Sequence, residues 1–149
     1  MKSIKIHIIS DDCFYSYGLQ EYLYLFFSKR GFDTSFGFGD ELNMSYVPDI
    51  IIRNFIRGEI YACQRELNFN GDNIIIGITD QEYFVRDLPN CLKGMKVINY
   101  RTTLAELQKI LEYIVSVKMK HELKNNLFKF IGCYNCKSIK LSTQEINIL

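Results

Sequence analysis

The chain has 149 residues, 48% of them hydrophobic and 23% charged, with a net charge of +1; these are the proportions of an ordinary globular domain with a core of its own. The near-neutral balance excludes a chain that gathers polyanions by overall charge, and no stretch approaches the ~18 consecutive apolar residues of a membrane span. The opening MKSIKIHIISDD meets acid too early, and has no small-residue cleavage site, to be a secretory signal, so a cytoplasmic chain is expected, with its five cysteines reduced.

Residues 4–10, IKIHIIS, are largely β-branched and predict a buried strand that runs into Asp11 and Asp12. Leu19, Tyr22, Leu23, Phe26 and Phe27 then recur at helical spacing, with Lys29 and Arg30 in the last turn and Gly31 as the stop. FDTSFGF, 32–38, alternates Phe with small residues and suits a second or edge strand. GDELNMSYV has room for one helical turn, and Pro48 precedes a strand over 49–54, DIIIRN. Residues 58–67 predict a short helix, Asn70-Gly71-Asp72 a turn, and NIIIGITD, 73–80, another buried strand. A short weak helix over 81–88 ends near Pro89, and MKVINY, 95–100, is the last strand. Thr103 and Glu106 form a capping box ahead of Leu104, Leu107, Ile110, Leu111 and Ile114, which make one apolar helix face.

Strands alternating with helices imply a parallel sheet covered on both faces. Right-handed crossovers narrow the topologies, and a doubly wound five-stranded α/β sheet in flavodoxin-like order 2-1-3-4-5 fits the length. In such sheets the site lies at the carboxyl ends of the strands. There the sequence places Asp11 and Asp12, then Asn54, then Thr79 with Asp80, then Tyr100 and Arg101.

This layout, over residues 1–118, resembles the CheY-like receiver domain of bacterial response regulators. The resemblance implies an acidic pair that holds Mg²⁺, an acceptor aspartate after the third strand, a Ser or Thr after the fourth and a Lys after the fifth. Asp11 and Asp12 match the acidic pair and Thr79 the hydroxyl position. Asn54 falls on the acceptor and Tyr100 on the lysine. An acyl phosphate needs a carboxylate nucleophile, which an amide is not. Asp49 lies about 17 Å upstream at strand rise, at the wrong end. Mg²⁺ wants anionic oxygen, and Tyr100 brings no fixed positive charge. A degenerate receiver is therefore expected, not an enzyme, needing no cofactor or metal and not switched by phosphorylation. Two other roles stay open: Asp11 and Asp12 as caps of the first helix, and Arg53 paired with one of them.

From Lys118 to Lys140 six lysines face one acid, a solvated linker or a tether near nucleic-acid phosphates. LSTQEINIL, 141–149, has a second capping box, Ser142 with Glu145. With Leu141, Ile148 and Leu149 it resembles the opening of a LuxR-type helix-turn-helix domain, though Gln144 and Asn147 depart from its charged positions. The expected organisation is a receiver-like domain over 1–118, a basic linker over 119–140, and the start of a helix-turn-helix at 141–149. The expected protein is a transcription regulator similar to RcsA-like auxiliary regulators. It would bind DNA through a C-terminal domain absent from this chain, pair with itself or another regulator, and have no membrane partner. A stand-alone sequestering module and a small enzyme or ligand sensor are the alternatives.

Cys133-x-x-Cys136 has no second pair for zinc, and Cys13, Cys63 and Cys91 are scattered. His7 reads as a strand residue, not a ligand, and Gly37 and Gly39 as turn chemistry. Tyr15, Tyr17, Tyr22, Tyr24 and Tyr113 fall on or near the first and last helices. Of these, Tyr15, Tyr22 and Tyr113 are candidates for an interface, where tyrosine is enriched.

Overall fold

A computed structural model describes residues 2–40, 47–56, 59–61, 67, 73–80, 88, 90–92 and 94–121. Five strands, β1 (Lys2–Ile9), β2 (Phe32–Phe38), β3 (Ile50–Asn54), β4 (Ile74–Thr79) and β5 (Lys96–Asn99), form one sheet in the order β2-β1-β3-β4-β5. Every pairing is parallel. The doubly wound order expected from the alternation is therefore the observed one. The registers align isoleucines across the centre: Ile8 pairs with Ile52, Ile52 with Ile76, and Ile78 with Ile98. Successive residues point to opposite faces, so the same strands feed two cores.

The first core lies under two helices, α1 (Cys13–Ser28) and α2 (Leu104–His121). Leu23, Phe27, Leu111 and Ile114 are completely buried against Ile6, Ile50 and Ile76. Phe26, Phe27 and Phe32 make successive edge-on ring contacts at 5.1 and 5.8 Å, an arrangement aromatic quadrupoles favour. The second core, on the opposite face, gathers Ile51, Phe55, Ile60, Leu67, Ile75, Leu92 and Met95. Two 3-10 turns, Glu59–Tyr61 and Asn90–Leu92, supply Ile60 and Leu92. Within the helix expected over 58–67, Glu59–Tyr61 form a 3-10 turn, and residues 62–66 lie outside the described residues, as do 41–46, 70–72, 81–87 and 122–149.

Both helices start where the sequence says they should. Asp12 Oδ1 accepts from the Tyr15 amide at 2.9 Å and caps α1. Thr103 and Glu106 close the reciprocal box of α2, at 2.9 and 3.2 Å. At the other end of α1 the expectation is corrected: the helix stops at Ser28, so Lys29 and Arg30 lie beyond its last turn. Gly31, at φ +79°, turns the chain, a conformation that costs other residues their Cβ clearance. Arg30 reaches back instead, donating to Phe26 O at 3.0 Å and lying 3.6 Å over the Phe26 ring. It also meets Glu112 of α2 at 3.3 Å.

At the amino edge, Asp49 staples β3 to its neighbours. Its carboxylate accepts from Lys5 N, its own amide donates to Lys5 O, and its carbonyl accepts from Ile74 N, each at 2.8 Å. The α2 helix runs to His121, past the boundary expected at 118. No helix among the described residues is long and apolar enough to cross a membrane.

Candidate functional site

The carboxyl ends of the strands bring together what the sequence separates. Asn54 ends β3, Thr79 ends β4, and Tyr100 is the first residue after β5. Asp11 and Asp12 occupy the short step from β1 into α1. The two aspartates do different work. Asp12 is committed to the cap, where its charge also meets the positive end of the helix. Asp11 is exposed and borders an open cavity of about 380 Å³.

Ser10, Asp11, Asp40, Arg53, Asn54 and Glu59 line that cavity, with Ile9, Ile56 and Leu67. Arg53 brings a guanidinium into it, 4.0 Å from the Glu59 carboxylate and 5.2 Å from the Phe55 ring centre. Its charge partner in this geometry is Glu59, where the sequence suggested Asp11 or Asp12. Glu59 is held in turn by the Ile56 amide at 3.1 Å. Asp40 and Glu59 are the lining residues that sequence reasoning missed. Each sits just past a strand end, in stretches where no periodic signal draws the eye.

Tyr100 ties the two halves of this edge together. The Asn54 side chain lies near enough to its hydroxyl to favour the phenolate. Its ring meets Tyr15 of α1 edge-on, with centroids 5.1 Å apart and planes at 75°. The turn that presents Tyr100 is tight: Thr102 Oγ1 accepts from Asn99 N at 3.0 Å, and Asn99 Oδ1 from Arg101 N at 2.8 Å. Burial raises the Tyr100 hydroxyl above the ordinary tyrosine value, and the Asp12 and Asp80 carboxylates add to this, against the Asn54 bond. Tyr15 is raised as well, first by burial, then by Tyr100 and Asp12. Both hydroxyls therefore stay neutral well above neutral pH.

Magnesium, which receiver-like folds imply, does not fit this donor set. Asp12 Oδ1 is engaged in the helix cap, and the third oxygen donor, Asn54, is a neutral amide. Hard dications want anionic oxygens. The cavity also holds the Arg53 guanidinium, which already supplies positive charge. Among the described residues, no three His, Cys, Asp or Glu side chains are grouped to hold a metal ion.

Thr79 is buried at the end of β4, beside Asn99 in the register. His7 is buried in β1, and its Nε2–H donates to Gly39 O at 2.7 Å, which is packing and not ligation. Of the tyrosines expected at an interface, two are engaged within the chain. Tyr15 stacks on Tyr100, and Tyr22 packs on Phe26 and reaches Leu104 O at 3.5 Å. Tyr113 stays exposed, with Lys96 Nζ 4.7 Å from its ring centre. Cys133, Cys136 and the 141–149 segment lie outside the described residues.

No protein-family model matches the sequence, and no curated protein matches it. Solved structures resemble it, among them these two. One is a CheY-like response regulator from Mesorhizobium loti, 14% identical, with a TM-score of 0.50 over 78% of this chain and 98% of that one. The other is the response regulatory domain of protein mrkE from Klebsiella pneumoniae, 14% identical, with a TM-score of 0.53 over 78% of this chain and 99% of that one. The sheet order, the parallel registers and these two likenesses agree: the chain has the fold of CheY-like response-regulator receiver domains.

Proposed function

We propose that this chain is a regulatory domain that keeps the receiver scaffold and does no phosphoryl transfer. The observation that carries the reading is the placement of Asn54 at the end of β3 and of Tyr100 just after β5, on one carboxyl edge. The position that would need a carboxylate nucleophile holds an amide, and the position that would need a fixed cation holds a phenol. Arg53 and Glu59 fill the adjoining cleft with a charge pair of the chain's own. Output then depends on protein contact, as a dimer or with another regulator, and not on a phosphodonor.

The setting that best suits such a domain is transcription regulation. The likeness of residues 141–149 to the opening of a LuxR-type helix-turn-helix supports it, as does the lysine-rich stretch ahead of them. DNA binding would belong to that domain and not to the receiver-like part.

Two measurements test the reading. Incubation with a small-molecule phosphodonor and Mg²⁺, followed by intact mass, should leave the chain unmodified. A phosphoryl adduct abolished by Asp11→Ala or Asp12→Ala would overturn it. Crosslinking of the native protein to DNA in its source cells tests the transcriptional part: enrichment at promoter DNA is expected, and its absence would overturn that part.

A further inference from the structure

The two helices lie on the same sheet face and differ in their outer surfaces. The outer positions of α2 include Glu106, Gln108, Lys109, Glu112 and Ser116, all exposed, with Leu104 and Tyr113 as its exposed large apolar side chains. The outer positions of α1 are Phe14, Tyr17, Gly18, Glu21, Tyr24 and Leu25. Phe14 is 92% exposed, Tyr17 68%, Leu25 53% and Tyr24 50%. Phe14, Tyr17, Glu21, Tyr24 and Ser28 are spaced three and four apart, the spacing of a helix-pairing seam.

Gly18 is the second sign. It lies in the middle of α1, where glycine costs about 1 kcal/mol relative to alanine. Among the described residues a Cβ built there meets no atom within 4 Å. The bare backbone leaves room for a second helix to cross close to α1 at this point.

We infer that the outer face of α1 pairs with the same face of a second copy of this chain, antiparallel and crossing at Gly18. The proposal deepens the regulatory reading by naming the surface and the partner. A two-fold axis beside Leu19 and Gln20 sets Phe14 across from Leu25 of the other copy, and Gly18 across from Glu21. The two Glu21 carboxylates are then offset from each other, each in the room a glycine leaves and close to the other copy's Tyr17 hydroxyl. The one charge on the seam is thus accommodated by self-pairing.

Area sets the strength. With whole aromatic side chains worth about 150–250 Å², the four apolar residues leave on the order of 500 Å² open on each copy. Two copies bury about 1,000 Å² through them, short of the roughly 1,600 Å² of a standard interface. A weak, reversible dimer follows, at the small end of specific interfaces.

Sedimentation equilibrium of the whole chain, from low micromolar to near millimolar, tests it. The wild type should show a reversible monomer–dimer equilibrium. Leu25→Glu and Gly18→Lys should each weaken it at least about tenfold. Gly18→Lys should also keep or raise the helix content and melting temperature, since the site is open and lysine is the better helix former. Ser116→Lys on α2 should leave association unchanged. A wild type that stays monomeric throughout overturns the proposal, and so does a dimer that survives both α1 variants. The phosphodonor experiment is read independently: an unmodified monomer removes the α1 pairing and leaves the phosphorylation-independent reading standing.

Discussion

On one face of the sheet, α1 and α2 lay continuous apolar stripes over Ile6, Ile50 and Ile76. On the other, the described residues that bury Ile51, Phe55 and Ile75 come from single turns at Glu59–Tyr61 and Asn90–Leu92, and from Leu67. The strands contribute isoleucines to both faces alike, so the strands do not determine the difference. What differs is the origin of the order. The helical face is specified locally, by a cap at each start and a period of 3.6 that neighbouring residues share. The second face is specified by close approach between distant segments. Gly77 shows how: a Cβ there would fall 2.8 Å from Met95 Sδ and 3.1 Å from Phe55 Cε2.

Phenylalanine truncation gives the largest effects that could break this comparison. Phe27→Ala, deep in the helical face with two edge-on partners, should cost close to 5 kcal/mol, and Phe55→Ala on the other face nearer 3 kcal/mol. Urea unfolding of both measures the difference, and equal losses would erase it. Gly77→Val should cost about 1–3 kcal/mol by overpacking, since Met95 can bend away but the Phe55 ring is buried. Asp12→Ala should cost about 1 kcal/mol through the lost cap, whether or not Asp12 ever met a metal. Glu112→Ala should cost under about 1 kcal/mol, because its pair with Arg30 is largely solvated.

Alkaline titration resolves a finer point at the carboxyl edge. Tyr100 and Tyr15 hold their protons more tightly folded than unfolded, chiefly because burial disfavours the phenolate. Their contribution to stability is complete below the ordinary tyrosine value near 10 and is lost as pH rises through the higher folded values. Absorbance titration should show two tyrosines ionising late. Asn54→Ala should delay Tyr100 further, because the amide bond favours its phenolate. An earlier ionisation in that variant would contradict the Asn54–Tyr100 contact.

The same contrast explains what the sequence made legible. Five strands, their parallel order and both helix starts follow from isoleucine runs, from Asp12, and from Thr103 with Glu106. Counting from the strand ends also put Asn54, Thr79 and Tyr100 on one edge, because parallel strands align their carboxyl ends. The Arg53–Glu59 contact was not foreseen, because Glu59 comes to the cleft by a turn whose geometry no local pattern announces. Tyr15 and Tyr22 looked like surface aromatics, yet their partners, Tyr100, Phe26 and Leu104, are mostly distant in sequence.

The central claim is that the carboxyl edge no longer accepts a phosphoryl group. Its most direct test is the melting temperature of the chain with Mg²⁺ and fluoroberyllate, which mimics a phosphoryl group on a receiver carboxylate. A ligand that binds only the folded state raises that temperature in proportion to its affinity. The account predicts no shift beyond that of Mg²⁺-free buffer, whereas a concentration-dependent rise abolished by Asp11→Ala would contradict it.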